Sequence, residues 1–237
     1  DATAGAGGHS ALIAAALETG RLIALDRDAT AVALAGEIPN VYATAGLHPV
    51  FIEDDGGIDW LPELLSSPRI VALGEVGIDH TSLVPVARQV MLFSAQLRLA
   101  RERELPVIIH CRHGWDEVFA CLDETPVRGI MHAFSASAEV MMEALRRGMY
   151  LSFAGMATRA NSRHAHAALR TAPLERILTE TDAPFMALDG VPAESSEPIH
   201  ARQVLQFIAA SRGIAEEELE EQVWANAEAI FSLRKVL

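Results

Sequence analysis

The sequence predicts an α/β fold, a (β/α)8 barrel, and three observations carry that expectation. Eight short apolar runs recur along the 237 residues, helical patterns separate them, and His, Asp and Glu residues sit at the ends of the runs. Near-continuous apolar strands alternating with helices indicate a parallel sheet covered on both faces. Eight such units favour closure into a barrel over an open sheet. A barrel of this kind takes about 250 residues, so residues 1–237 are expected to form a single domain.

The first run is DATA (1–4), with a helical stretch at 10–19. RLIALD (21–26) and VYATAG (41–46) follow, each short, apolar and suited to a buried pleated surface. IEDDGG (52–57) is acidic and glycine-rich and reads as a loop. RIVALGEVG (69–77) is the fourth run, with an amphipathic stretch at 84–104 behind it. PVIIHC (106–111) precedes the helical stretch 113–124, and GIMHAF (129–134) precedes 137–147. MYLSFAG (149–155) and RILTETD (176–182) complete the eight. MALDGVPAESSEP (186–198) reads as a second long loop, and helical stretches at 199–212 and 215–233 follow it.

Half of the residues are hydrophobic and 22% are charged, enough apolar material for a sizeable core. The formal net charge is -13. That excludes nonspecific phosphate attraction as the means of holding nucleic acid, because the attraction needs clustered Lys and Arg. A nucleic-acid substrate has to be gripped locally, for instance through metal ions. Cys111 and Cys121 are the only cysteines; they make no disulfide framework and suit a reducing cytoplasm. No apolar run reaches the roughly 18 residues of a membrane span. The chain starts at Asp1 without a Met, so residues are expected to be missing before it.

Asp26, His48, Glu75, His110, His132 and Asp182 each fall at or just after the last apolar positions of a different run. In a parallel barrel those ends meet on one face, where active sites are built. A single such residue is usually a polar cap, and His48 in LHP competes with a plain turn. Several convergent carboxylates and imidazoles are harder to explain structurally, since unpaired charges there are costly without a metal or a hydrogen-bond network. The mixed donor set suits a catalytic divalent ion that generates hydroxide from water near neutral pH. Other histidines read as structural. His164 and His166 lie two apart on a helical stretch, point apart, and are expected at the surface. His80, His113 and His200 fall in or beside loops and helix starts. Cys111 follows His110, faces the opposite side of its strand, and reads as a core thiol.

ATAGLHP (43–49), ALGEVGID (72–79), LPVIIHCR (105–112), IMHAFSAS (130–137) and ILTETDAPFMA (177–187) resemble the motifs of the TatD family in order and spacing. RQVMLFSAQLRLARE (88–102), SEPIHARQVLQFIA (196–209) and WANAEAIF (224–231) extend the resemblance over roughly residues 37–233. It implies a metal-dependent hydrolase of the amidohydrolase type on a (β/α)8 barrel, with DNase activity on DNA or a small phosphodiester. It implies further that Glu75 bridges two divalent ions (Mg, Mn or Zn) and that His110 and His132 hold one of them. Asp182 then ligates the other and positions or deprotonates the attacking water. His48 and Arg112 are expected to contact the substrate. Ala136 stands where the family usually has Gly, and Ser196 where Asn is common.

The first strand departs from the family, which ends it in D-x-H-x-H. Here Thr3 and Gly5 occupy the histidine positions, neither is a useful ligand, and His9 lies beyond a flexible turn. One ion rather than two, and weak or lost hydrolysis, are the consequence expected. Residues 1–35 resemble instead the first β-α-β unit of the MraW/RsmH methyltransferases, which use S-adenosylmethionine to methylate rRNA. That resemblance implies that the turn of Gly5, Gly7 and Gly8 lets backbone approach the cofactor and that Asp26 takes the ribose hydroxyls. Asp26 follows Gly5 by 21 residues, in keeping with such a unit. The chain therefore reads as a chimera, 1–36 methyltransferase-like and 37–237 TatD-like, in which one right-handed βαβ module replaces another. A natural recombinant and a laboratory product would read alike, and the abrupt start and the junction at equivalent points favour the second. The competing functions are an impaired nuclease and a catalytically inactive chimeric fold. A methyltransferase ranks third, because only one βαβ of that fold is present. A cytoplasmic monomer without membrane contact is expected.

Overall fold

The structure is a computed structural model that describes residues 2–3, 22–25, 41–53 and 56–232. Gly5, Gly7, Gly8, His9 and Asp26 lie outside the described residues, and so does the helix expected at 10–19. The S-adenosylmethionine reading rests on those positions. All eight expected strands are present: β1 (Ala2–Thr3), β2 (Leu22–Leu25), β3 (Val41–Ala45), β4 (Ile70–Asp79), β5 (Val107–Arg112), β6 (Gly129–Met131), β7 (Tyr150–Phe153) and β8 (Ile177–Thr179). The α-helices among the described residues are α1 (Leu61–Leu64), α2 (Val86–Glu102), α3 (Trp115–Glu124), α4 (Ala138–Arg146), α5 (Arg163–Thr171), α6 (His200–Arg212) and α7 (Glu216–Phe231). The short α1 has no counterpart among the expected elements. No helix among the described residues is long and apolar enough to cross a membrane.

The chain divides into two compact units, Ala4–Ile130 and Met131–Leu237 with Asp1–Thr3. In the first, β2, β3, β4 and β5 lie side by side and all run parallel. Every residue of β3 is buried, and nine of the ten in β4 are, which accounts for the unbroken apolar runs: both faces are covered. α2 buries a helical stripe through Leu92, Phe93, Leu97 and Ala100. β4 runs two residues past its expected end, because its pairing with β5 continues to Asp79 opposite Arg112. Gly77 permits this. Its φ is 149°, and a Cβ there would collide with the carbonyl oxygen of His110.

In the second unit β7 and β8 are parallel, with Leu151 opposite Ile177. Asn226 of α7 is buried and its amide donates to the carbonyls of Leu174 and Ile177, both at 2.8 Å, where the chain enters β8. β6 and β8 each stop three residues before the end of their apolar runs. Ala133 (φ 45°) and Asp182 (φ 67°) leave the extended region there, so the chain turns at once. His132, Glu180 and Asp182 therefore sit on loops just beyond strand ends, not on the strands. His164 is exposed as expected, but His166 is not a plain surface residue. Its Nε2 donates to the Ala157 carbonyl at 2.9 Å and its ring lies 5.5 Å from that of Phe207. The 3.6-residue period turns one of the two inward.

Gly77→Ala is expected to destabilise the protein by on the order of 3 kcal/mol or more, through steric collision and a disfavoured φ. Gly213, at φ 65° in open space, provides the comparison: Gly213→Ala should cost about 1 kcal/mol. Urea unfolding of the two variants checks the difference.

Candidate metal centre

Glu75 is set by an irregularity in β4. Leu73 pairs with Val107 and Val76 with Ile109, so Gly74 and Glu75 share the single partner Ile108. A Cβ on Gly74 would stand 2.6 Å from the Ile108 Cβ, so this close approach also requires glycine. Opposite, near the end of β5, the His110 ring lies between two carboxylates. Its Nδ1 is 3.0 Å from Glu75 Oε1 and its Nε2 is 3.0 Å from Asp79 Oδ2.

Asp79 is 2% exposed and accepts hydrogen bonds from the Thr81 N–H (2.7 Å) and hydroxyl (2.6 Å). Burial pushes its carboxyl up, but the Thr81 and His110 hydrogen bonds outweigh that and hold it below the ordinary value. An ionised Asp79 can only accept, so His110 carries a proton on Nε2, and a neutral ring then turns its Nδ1 lone pair towards Glu75. Two acceptors 3.0 Å apart require a cation or a second proton between them. The donor set, one imidazole and one carboxylate on a rigid sheet end, fits a divalent ion.

The ring of His48 meets that of His110 edge-on at 4.4 Å. Its Nε2 is 3.7 Å from Glu75 Oε1, and ligand atoms of His48, Glu75 and His110 all lie within 4.8 Å of one another. Its Nδ1, however, accepts the Val50 N–H at 3.2 Å and caps the turn Pro49–Phe51. The neutral ring therefore carries its proton on Nε2 and presents a donor, not a lone pair. His48 is thus both the turn residue and a polar group of the centre.

Two buried glutamines seven residues apart on α2 hold the strand ends beneath this cluster. Gln89 accepts the Asp79 N–H (2.7 Å) and donates to the Asp79 carbonyl (3.0 Å) and the Val84 carbonyl (2.8 Å). Gln96 accepts the Leu47 N–H (2.7 Å) and donates to the Leu47 carbonyl (3.2 Å), next to His48. Both amides are 1% exposed or less.

The second unit carries a matching arrangement. His132 is buried and its Nδ1 donates to Glu180 Oε2 at 2.9 Å, while Glu180 Oε1 accepts the Ala133 N–H at 2.5 Å. The His132 Nε2 faces Asp182 Oδ1 at 3.6 Å. Glu180, like Asp79, is buried and locks the tautomer of a neighbouring histidine. Sequence reasoning missed both carboxylates and both glutamines. The signals were present: Asp79 and Glu180 lie inside ALGEVGID and ILTETD, and Gln89 and Gln96 interrupt an apolar helix stripe.

Arg112 is exposed at the end of β5, two residues beyond His110 and opposite Asp79. His80 pairs with Glu117 at 3.2 Å, and His200 Nδ1 accepts the Glu197 N–H at 3.0 Å. His113 occupies a left-handed turn at φ 63°. Burial pushes the Cys111 thiol up to about 12, which removes it as a nucleophile near neutral pH.

Against known proteins, the chain matches the family of TatD related DNases over residues 10–232. It is 35% identical to the metal-dependent hydrolase YabD of Bacillus subtilis, over 81% of this chain and 78% of that protein. It is 33% identical to the 3'-5' ssDNA/RNA exonuclease TatD of Citrobacter rodentium, over 84% and 80% respectively. Among solved structures, the TatD homologue YjjV of Escherichia coli aligns with a TM-score of 0.87 at 26% identity, covering 98% of this chain and 96% of that one.

Asp79→Asn and Glu180→Gln are each expected to weaken divalent-metal binding by about 10–100-fold, the scale of lost support behind a ligating histidine. Calorimetric titration with manganese, alongside thermal unfolding to show that the fold persists, checks this.

Proposed function

Because this chain belongs to the family of TatD-related DNases, we propose that it hydrolyses phosphodiester bonds in nucleic acid with a divalent metal. The observation that carries the reading is the His110 ring held between Glu75 and Asp79, each 3.0 Å from one of its nitrogens. The activity of the Citrobacter relative on single-stranded DNA and RNA supports a nucleic-acid substrate. In this reading Glu75, His110 and His132 are the ligands of the ion that remains, and Asp182 belongs to the other metal position. A bound divalent ion would supply positive charge at the scissile phosphate and lower the pKa of water. The Asp182 carboxylate accepts the proton of the attacking water. The His48 Nε2–H and the exposed Arg112 guanidinium donate to phosphate oxygens.

One ion rather than two is proposed, with impaired hydrolysis. Thr3 and Gly5 offer no nitrogen where the family resemblance calls for histidines, and the family match begins only at residue 10, past both positions. The same match takes in residues 10–36, which supports assigning most of the methyltransferase-like segment to the hydrolase fold. Free Cys111 and Cys121 suit action in the cytoplasm.

His132→Ala should lose stoichiometric manganese while remaining folded. Thr3→His with Gly5→His should gain a second ion and raise cleavage of single-stranded DNA on the order of 100-fold, the scale of one restored electrostatic stabiliser. Equal rates for the unmodified and repaired chains would refute the account of the first strand. Unchanged metal content in His132→Ala would refute the ligand assignment.

A further inference from the structure

Beside the candidate centre lies an open groove of about 680 Å³, within the range of about 300–1,000 Å³ typical of small-ligand sites. Both walls are tied to site residues. One is the Pro49–Phe51 turn, whose Val50 N–H caps His48. The other starts at Thr81, which donates twice to Asp79. The Ser82 hydroxyl joins the walls through the Pro49 carbonyl at 3.4 Å.

The lining is unusual for a surface. Leu83 is fully exposed at 101% and Val50 is 41% exposed, so two large apolar side chains are held in water where the groove opens. Arg88 lines it as well. Its Nη2 donates to the Gly56 carbonyl at 2.6 Å, which fixes the guanidinium against the groove wall. Glu53 adds a carboxylate acceptor to the same lining.

We propose that this groove is a nucleobase subsite, taking one base of a single-stranded nucleic acid next to the cleaved bond; the assignment rests on the phosphodiesterase reading above. A phosphate would gain from Arg88 but meet the Glu53 carboxylate and a chain of net charge -13. A base suits both the apolar and the charged lining: its faces cover Leu83 and Val50, and its edge carries an acceptor for the Arg88 guanidinium and a donor for Glu53. Apolar cover of the faces of a base is non-directional, does not depend on charge and serves any sequence. An acidic protein that cannot hold the backbone by charge needs that kind of grip.

The test uses the full chain with metal chelated, so that binding is read without cleavage. Fluorescence anisotropy compares a labelled single-stranded tetranucleotide with an abasic strand of the same length. The base-bearing strand should bind about tenfold tighter, the scale of covering one large apolar side chain. Leu83→Glu and Arg88→Gln should each bring it towards the abasic level, with the thermal transition and manganese stoichiometry unchanged. Equal binding of the two strands, no binding of either, or a preference that survives in both variants overturns the subsite. Cleavage with manganese is scored separately: a base preference in binding without cleavage of either strand refutes the phosphodiesterase reading and leaves the base subsite supported.

Discussion

The hydrogen bond from His110 Nε2 to Asp79 is the constraint on which the first unit of this protein depends. It decides which ring nitrogen carries the proton, and so whether the ring offers a lone pair or a donor towards Glu75. Several features of the fold serve it. β4 must reach Asp79, Gly77 must let β5 approach, and Gln89 must hold both backbone groups of Asp79. Thr81 then fixes the carboxylate itself. A shift of the carboxylate by a fraction of its 3.0 Å separation from the ring would weaken the bond and free the tautomer.

Buried amides perform the same kind of work at three places. Gln89, Gln96 and Asn226 are each 3% exposed or less, and each bonds at least two backbone groups. Burying an amide is unfavourable on its own, but one fully satisfied by backbone orders the segment it holds. In this chain the segments held are the end of β3, the end of β4 and the entry to β8. Helix and strand are thereby joined by directional bonds as well as by apolar contact, which has no preferred register.

The two histidine–carboxylate clusters share one logic. In each, a buried carboxylate that also accepts a backbone N–H orients the imidazole, and a more exposed carboxylate faces the other ring nitrogen. The two inner acids keep the rings in place without competing for the outer position. Asp182, 20% exposed and at φ 67°, is the group of the second cluster most open to solvent. That placement suits a residue that handles water.

The sequence by itself determined the α/β alternation, the eight apolar runs and the family motifs around Glu75, His110, His132 and Asp182. These are legible because burial on both faces leaves a local, continuous apolar signal. It also pointed to His48, although whether LHP was a turn or a site could not be separated; the geometry has it cap the turn and stand 3.7 Å from Glu75. Only the tertiary structure decided that β6 and β8 stop early, since a positive φ at Ala133 or Asp182 leaves no trace in hydropathy. Only it singled out Asp79, Glu180, Gln89 and Gln96. Asp79 meets His110 across 31 residues, Glu180 meets His132 across 48 and Gln96 meets Leu47 across 49. A polar residue inside an apolar element declares that it has a partner, but the identity of that partner exists only once distant segments have been packed together.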